Sequence, residues 1–152
     1  MSKTVISLFS GAGGMDIGFE KAGFKTAVAI EQDSSCCETL RTNFPDVPVI
    51  EGDINNVTTA EILEAAKLKP LECDVVIGGP PCQSFSLAGK RMGMDDPRGK
   101  LLLQFARVVR ETLPKTFVLE NVKGMANWNG GKAIDAILNE FSEQLSYEGN
   151  EY

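Results

Sequence analysis

Three observations predict an α/β fold, with a doubly wound and mostly parallel sheet. Five short apolar runs rich in β-branched residues alternate with stretches of helical periodicity. Glycine or Gly-Pro punctuation follows the first and fourth runs, where open sheets of this class place their ligands. The alternation keeps the order β-α-β-α-β-α-β-α-β-α, which calls for right-handed crossovers between parallel strands. At 152 residues the chain reads as one domain, long enough to bury a core.

The first strand is Thr4-Val5-Ile6-Ser7-Leu8-Phe9, followed by the turn Ser10-Gly11-Ala12-Gly13-Gly14 and a helix from Met15 to Ala22 that Gly23 stops. Strand, glycine turn and helix together let backbone N–H groups approach a ligand closely. A dinucleotide fingerprint needs glycine where Asp16 stands, so a pyrophosphate cofactor is disfavoured. A carboxylate at the mouth of the helix repels phosphate but suits a cofactor carrying positive charge. The second strand, Thr26 to Ile30, ends in Glu31, twenty positions beyond Gly11, where an acidic side chain can take both hydroxyls of a ribose. Asp33 or Ser35 caps the next helix, with Glu38 in capping-box position after Ser35, and Cys36 and Cys37 are read as packing residues within it.

Val47-Pro48-Val49-Ile50 forms a short third strand, and Glu51-Gly52-Asp53-Ile54 follows it. A carboxylate there can accept from an exocyclic amine such as that of adenine. Thr58 and Glu61 make a capping box for a helix from Thr59 to Lys67, ended by Lys69-Pro70. The fourth strand, Asp74 to Ile77, runs into Gly78-Gly79-Pro80-Pro81-Cys82-Gln83-Ser84-Phe85-Ser86. Pro80 and Pro81 cannot donate to a ladder and fix the backbone, so a thiol is presented on a stiff turn at the carboxyl end of a strand. Free cysteine is more often buried and inert, but this rigid support with Gln83 and two serines favours a nucleophile. Ser84 to Gly99 reads as a loop of about 15 residues.

Leu101, Leu102, Phe105, Val108, Val109 and Leu113 give a helical apolar face that Pro114 terminates. Lys115 to Leu119 is the fifth strand, ending in Glu120-Asn121-Val122, and a last helix carries Ile134, Ile137, Leu138, Phe141 and Leu145 on one face. In strand order 3-2-1-4-5 the switch point lies between strands 1 and 4. Gly11 to Gly14, Glu31 and Asp53 then share a rim with Cys82 and Glu120.

Composition narrows the chemistry. There is no histidine, which removes Ser-His-Asp and Cys-His hydrolases and histidine metal sites. The four cysteines lack metal-ligand spacing, and no apolar run reaches the length of a membrane span, so a reduced cytoplasmic protein without metal is expected. A net charge of −6 argues against the whole chain acting as a nucleic-acid clamp. Between Gly89 and Arg110, however, six basic residues (Lys90, Arg91, Arg98, Lys100, Arg107, Arg110) stand against two acidic ones.

On these residues the sequence resembles the cytosine-C5 DNA methyltransferases of bacterial type. Phe9-Ser10-Gly11-Ala12-Gly13-Gly14 is similar to the family's first cofactor motif, Pro81-Cys82-Gln83 to its catalytic motif, and Glu120-Asn121-Val122 to its Glu-Asn-Val motif. Glu31 and Asp53 fall where its ribose and adenine carboxylates do. The resemblance implies a Rossmann-like methyltransferase fold with S-adenosyl-L-methionine as donor. For the cofactor it implies Phe9, Ser10, Gly11, Gly13, Gly14 and Glu31 on one side. Gln32, Asp53, Ile54, Pro80 and Leu101 complete that set. Catalysis is implied for Cys82, as a thiolate adding to cytosine C6, and for Glu120, as a partner of N3 whose acidity is weakened by burial. A cytosine inside a duplex is unreachable, so double-stranded DNA with a flipped base is the implied substrate. Gln83, Ser84, Ser86, Lys90, Arg91, Arg98 and Asn121 would hold it.

The family's later glutamine-arginine motif, its target-recognition region and its final cofactor motif have no counterpart here. Residues 1–152 are therefore expected to be a partial catalytic domain, truncated after strand 5, that needs either its own missing C-terminal portion or a complementing polypeptide. Two other readings share some of these residues: a cofactor-binding or partner-docking fragment without turnover, and a transfer-RNA cytosine-C5 methyltransferase. A nicotinamide oxidoreductase is disfavoured by Asp16.

Overall fold

The structure, a computed structural model, describes residues 3–81, 100–121, 139, 141, 146–147 and 150–151. The expected architecture is found. Strands β1 (Lys3–Leu8), β2 (Phe24–Glu31), β3 (Val49–Glu51), β4 (Val75–Gly78) and β5 (Thr116–Leu119) form one parallel sheet in the order β3-β2-β1-β4-β5. Helices α1 (Gly14–Lys21), α2 (Ser34–Asn43), α3 (Thr59–Ala66) and α4 (Lys100–Thr112) link them, with a 3₁₀ turn at Ile54–Asn56. The predicted last helix lies outside the described residues apart from Asn139 and Phe141. A two-stranded antiparallel sheet of β6 (Ser146–Tyr147) and β7 (Asn150–Glu151), not expected from the sequence, is also present.

Alternation along β1 divides the core between two faces. Val5, with Val75 and Ile77 of β4, packs against Met15 and Phe19 of α1. Ile6, Leu8 and Val76 point the other way, to Ile62 of α3 and to Phe105, Val108 and Val109 of α4. Ala29 of β2 meets Leu40 of α2 and Phe44 on the α1 side. Two helices thus cover each face, as a doubly wound sheet requires. Gly78 ends β4 where only glycine fits. A Cβ there would stand 2.8 Å from the Leu8 carbonyl and 3.0 Å from the Phe105 ring.

Local capping decides where helices begin. The Thr58–Glu61 capping box is present in both directions, and Lys67 closes α3 in the left-handed conformation. For α2 the cap is Asp33, whose carboxylate accepts from the Cys36 N–H at 2.9 Å. Cys37 is buried in that helix, whereas Cys36 is only half-buried.

Asp16 corrects an expectation. It does not sit at the open mouth of α1 but is 1% exposed, beneath the helix, where the hydroxyls of Ser7 and Thr26 donate to it at 3.1 and 3.4 Å. A register shift makes room for this. Val5 pairs with Thr26 but Ile6 with Val28, so one extra residue turns Thr26 toward Asp16 and leaves Val28 and Ile30 facing the α3–α4 core. The carboxylate is thus held by two hydroxyls inside the fold rather than presented to a ligand at the loop.

β5 is an edge strand. Phe117 and Val118 are 36% and 42% exposed on its two faces, although Phe117 stacks on Phe141 with ring centroids 4.4 Å apart. Among the described residues, no helix is long and apolar enough to cross a membrane.

Burial raises the Asp16 pKa above its usual 3.8, against the lowering effect of its hydrogen bonds. A carboxyl raised in the folded state contributes stability below the unfolded pKa and loses it as pH climbs through the folded value. Thermal melts of Asp16→Asn and wild type between about pH 4 and pH 7 should therefore diverge in the variant's favour as pH rises. A difference in melting temperature that is flat across that range would contradict the burial cost. Gly78→Ala should lower stability by about 1–3 kcal/mol in urea unfolding, because the Leu8 backbone cannot yield to the new methyl group.

Candidate active site

The carboxyl ends of β1, β2 and β4 border a cavity of about 240 Å³. Phe9, Ile30, Glu31 and Gln32 line one side, Gly52, Asp53 and Ile54 another, and Gly79, Pro81 and Leu101 close it. Six of the residues expected to hold a cofactor, Phe9, Glu31, Gln32, Asp53, Ile54 and Leu101, are thus brought together. Phe9 reaches the cavity through a left-handed backbone, φ 54°, which costs a non-glycine residue about 1–2 kcal/mol.

Ser10, Gly11, Gly13 and Gly14 are not in the lining; they form the loop behind it. The Gly11 N–H donates to Glu31 Oε2 at 2.8 Å, and the Ser10 N–H to the Ile30 carbonyl at 3.2 Å. Gly13, with φ 87°, is needed for packing: a Cβ would lie 2.7 Å from the Phe44 ring and 3.0 Å from Leu40. Pro80 is buried behind the wall that Gly79 and Pro81 present. Sequence reasoning missed Ile30, Gly52, Gly79 and Pro81 as lining residues. Adjacency to Asp53 and to the end of β4 was the available signal.

The two carboxylates differ in their hydrogen bonding. Glu31 Oε1 accepts the N–H groups of Gln32 and Asp33, each at 2.8 Å, while Oε2 accepts that of Gly11. A carboxylate offers about four acceptor positions. Three are filled here by backbone N–H groups, which leaves one acceptor position open to a ligand. Asp53 caps the 3₁₀ turn with Oδ1, accepting from the Asn55 backbone N–H at 2.9 Å and its side-chain amide at 2.8 Å. Its exposed Oδ2 is the oxygen suited to an incoming amine.

Next to the cavity, Gly79 links the cofactor side to Glu120. A Cβ on Gly79 would stand 2.8 Å from Glu120 Oε2, and the Glu120 N–H donates to the Gly78 carbonyl at 2.9 Å. Glu120 therefore lies beside the turn that leads into Cys82. It is exposed, so the burial expected of it is not found. Asn121 follows it, half-buried. Cys82, Gln83, Ser84, Ser86, Lys90, Arg91 and Arg98 lie outside the described residues. The described thiols are unsuited to act as nucleophiles: burial raises the pKa of Cys36 and Cys37, and pushes that of Cys73 up to about 11.

Among the described residues of the basic run, Arg107 and Lys100 differ in setting. Arg107 turns inward from α4, with Nη2 donating to the carbonyls of Ile54 and Val57 and Nη1 to the Thr59 hydroxyl. Its guanidinium is thus engaged within the fold. Lys100 is exposed at the start of α4.

The chain is similar to known proteins along most of its length. The chain is 72% identical over 152 residues to the Type II methyltransferase M.AquIA of Picosynechococcus, covering all of this chain and 61% of that one. It is 45% identical over 150 residues to the Type II methyltransferase M1.HphI of Haemophilus parahaemolyticus, covering 97% of this chain and 40% of the relative. Among solved structures, a prophage-encoded E. coli protein described as a DNA modification methyltransferase superposes with a TM-score of 0.78 at 34% identity, over 95% of this chain and 40% of its own. The chain thus spans between two fifths and three fifths of the length of these proteins. The family defined as C-5 cytosine-specific DNA methylase matches residues 3–150, from β1 through β7, and the chain belongs to that family.

Proposed function

We propose that this chain carries the cofactor pocket and the nucleophile of a methyltransferase acting on C5 of cytosine in DNA, in the cytoplasm. The observation that carries the reading is the shared wall: Gly79, which precedes Cys82 closely in sequence, borders both the cavity and Glu120. The donor is S-adenosyl-L-methionine, and the cavity suits it. Phe9, Ile54 and Leu101 give apolar surfaces for a purine, Asp53 an acceptor for its amine, and Glu31 an acceptor for a ribose hydroxyl. When bound, S-adenosyl-L-methionine supplies the electrophilic methyl group for C5.

The protein's own residues prepare the base. C5 of cytosine is a poor nucleophile until its ring accepts a thiolate at C6. Cys82 makes that bond, and only its ionised form is competent. Glu120 supports the addition by holding a proton at N3. The base must leave the duplex first, at a cost of a few kcal/mol. Lys90, Arg91 and Arg98 hold phosphates on either side, while Gln83, Ser84, Ser86 and Asn121 contact the flipped cytosine. Polypeptide corresponding to the rest of the relatives' length continues the sheet at the exposed β5 edge and reads the DNA sequence, so this chain by itself transfers little methyl.

Titration calorimetry should detect S-adenosyl-L-methionine binding to the chain and none of NAD; the reverse preference would overturn the reading. Glu31→Ala should weaken the donor by about 1.5–3 kcal/mol, the contribution of one hydrogen bond to a charged acceptor. It should also lower the melting temperature, since three backbone N–H groups lose their partner. Cys82→Ser should leave donor affinity within about threefold, a small fraction of a hydrogen bond's contribution. Assayed with the completing polypeptide, that variant should no longer form a covalent adduct with a duplex containing 5-fluorocytosine. Adduct formation by the serine variant would assign the nucleophile elsewhere.

A further inference from the structure

The 3₁₀ turn behind Asp53 is too short to hold itself. Its internal bonds are Asn56 N–H to the Asp53 carbonyl at 2.9 Å and Val57 N–H to the Ile54 carbonyl at 3.4 Å, the second at the limit of a useful bond. What anchors it is Arg107, half-buried on the neighbouring helix. Nη2 donates to the Ile54 carbonyl at 3.2 Å and the Val57 carbonyl at 3.0 Å, and Nη1 donates to the Thr59 hydroxyl at 2.9 Å. Nε donates to Gln104 Oε1 at 2.7 Å, which fixes the plane of the guanidinium, and Glu111 stands 3.6 Å from Nη1. One planar fork thereby joins α4, the turn and the first residue of α3. Ile54 is 4% exposed, so the carbonyl that Arg107 satisfies belongs to a buried residue of the pocket wall.

We propose that Arg107 is a positioning residue for the adenine end of the pocket: by clamping the Ile54–Val57 turn it holds the Asp53 carboxylate where an exocyclic amine can donate to it. The inference rests on the cofactor reading above and adds to it the residue that sets selectivity for an amino-purine. A lysine cannot replace this fork, because a single ammonium cannot span two carbonyls, a hydroxyl and an amide oxygen in one plane. Arg107 touches no cofactor atom itself; its effect passes through Asp53.

The test compares S-adenosylhomocysteine with S-inosylhomocysteine, which carries a carbonyl oxygen in place of the purine amine. Both are titrated calorimetrically into the full chain, with thermal melts in parallel. Wild type should prefer the adenosyl ligand by about tenfold or more, the worth of one charge-assisted hydrogen bond with the amine. In Arg107→Lys and in Asp53→Ala that preference should shrink to about twofold or less, while affinity for the inosyl ligand stays near the wild-type value. If Arg107 only braced the fold, Arg107→Lys would weaken both ligands alike and keep the preference, and that result would overturn the proposal. Equal binding of the two ligands by wild type would overturn it as well. Wild type binding neither ligand would instead sink the cofactor reading. Should Arg107→Lys fail to fold, Thr59→Val removes one partner of the guanidinium within a buried site. A reduced preference in that variant supports the clamp, and an unchanged one overturns it.

Discussion

The Glu31 carboxylate receives the N–H groups of Gly11, Gln32 and Asp33, and the rim of the sheet depends on those three bonds. Each is charge-assisted, the stronger kind of hydrogen bond, and together they tie the loop after β1 to the loop after β2. Gly11 could not be held this way without the tight turn that Gly13 permits against Phe44. Asp33, anchored through its N–H, is also the cap of α2, so the same carboxylate indirectly sets where that helix begins. The pocket is therefore pre-formed on this side by backbone geometry, with only one acceptor position of Glu31 left to offer.

The opposite side of the pocket is organised by a cation instead of an anion. Arg107 supplies donors to the carbonyls of Ile54 and Val57, where Glu31 supplies acceptors to the N–H groups of Gly11, Gln32 and Asp33. Between them lie apolar walls from Phe9, Ile54 and Leu101, with no described charge lining that stretch. Such a division, with charged groups at the ends and apolar surface between, is how a small-molecule site fixes both orientation and affinity.

Much of this was legible in the sequence because its signals are local. The strand order followed from alternation and from glycine punctuation, and the Thr58–Glu61 box needed only two side chains three positions apart. Glu31 and Asp53 were found because each stands at the end of a strand, where topology leaves few directions to face. The misreadings share one physical cause: a residue's type does not say which way its side chain turns. Asp16 looked like an exposed helix-mouth charge until an extra residue in β2 showed the buried site built for it from Ser7 and Thr26. Arg107 looked like part of a basic face, yet its partners lie about fifty positions earlier in the chain. Glu120 was placed beside the right turn but with the wrong exposure.

The pairing of β1 carries a consequence for synthesis on the ribosome. β1 emerges well before its partner on one side, β4, whose Val75 pairs with Val5 seventy residues later. Until that stretch has left the exit tunnel, Val5 to Leu8 can pair only with β2, and Ile6 and Leu8 lack the cover that Phe105 later gives them. A nascent chain in this state displays an apolar strand with one open edge, the kind of surface that chaperones bind and that associates wrongly when they are scarce. The long reach from β1 to β4 thus leaves the sheet's centre open until the fourth strand arrives, although it is the part most deeply buried in the finished fold.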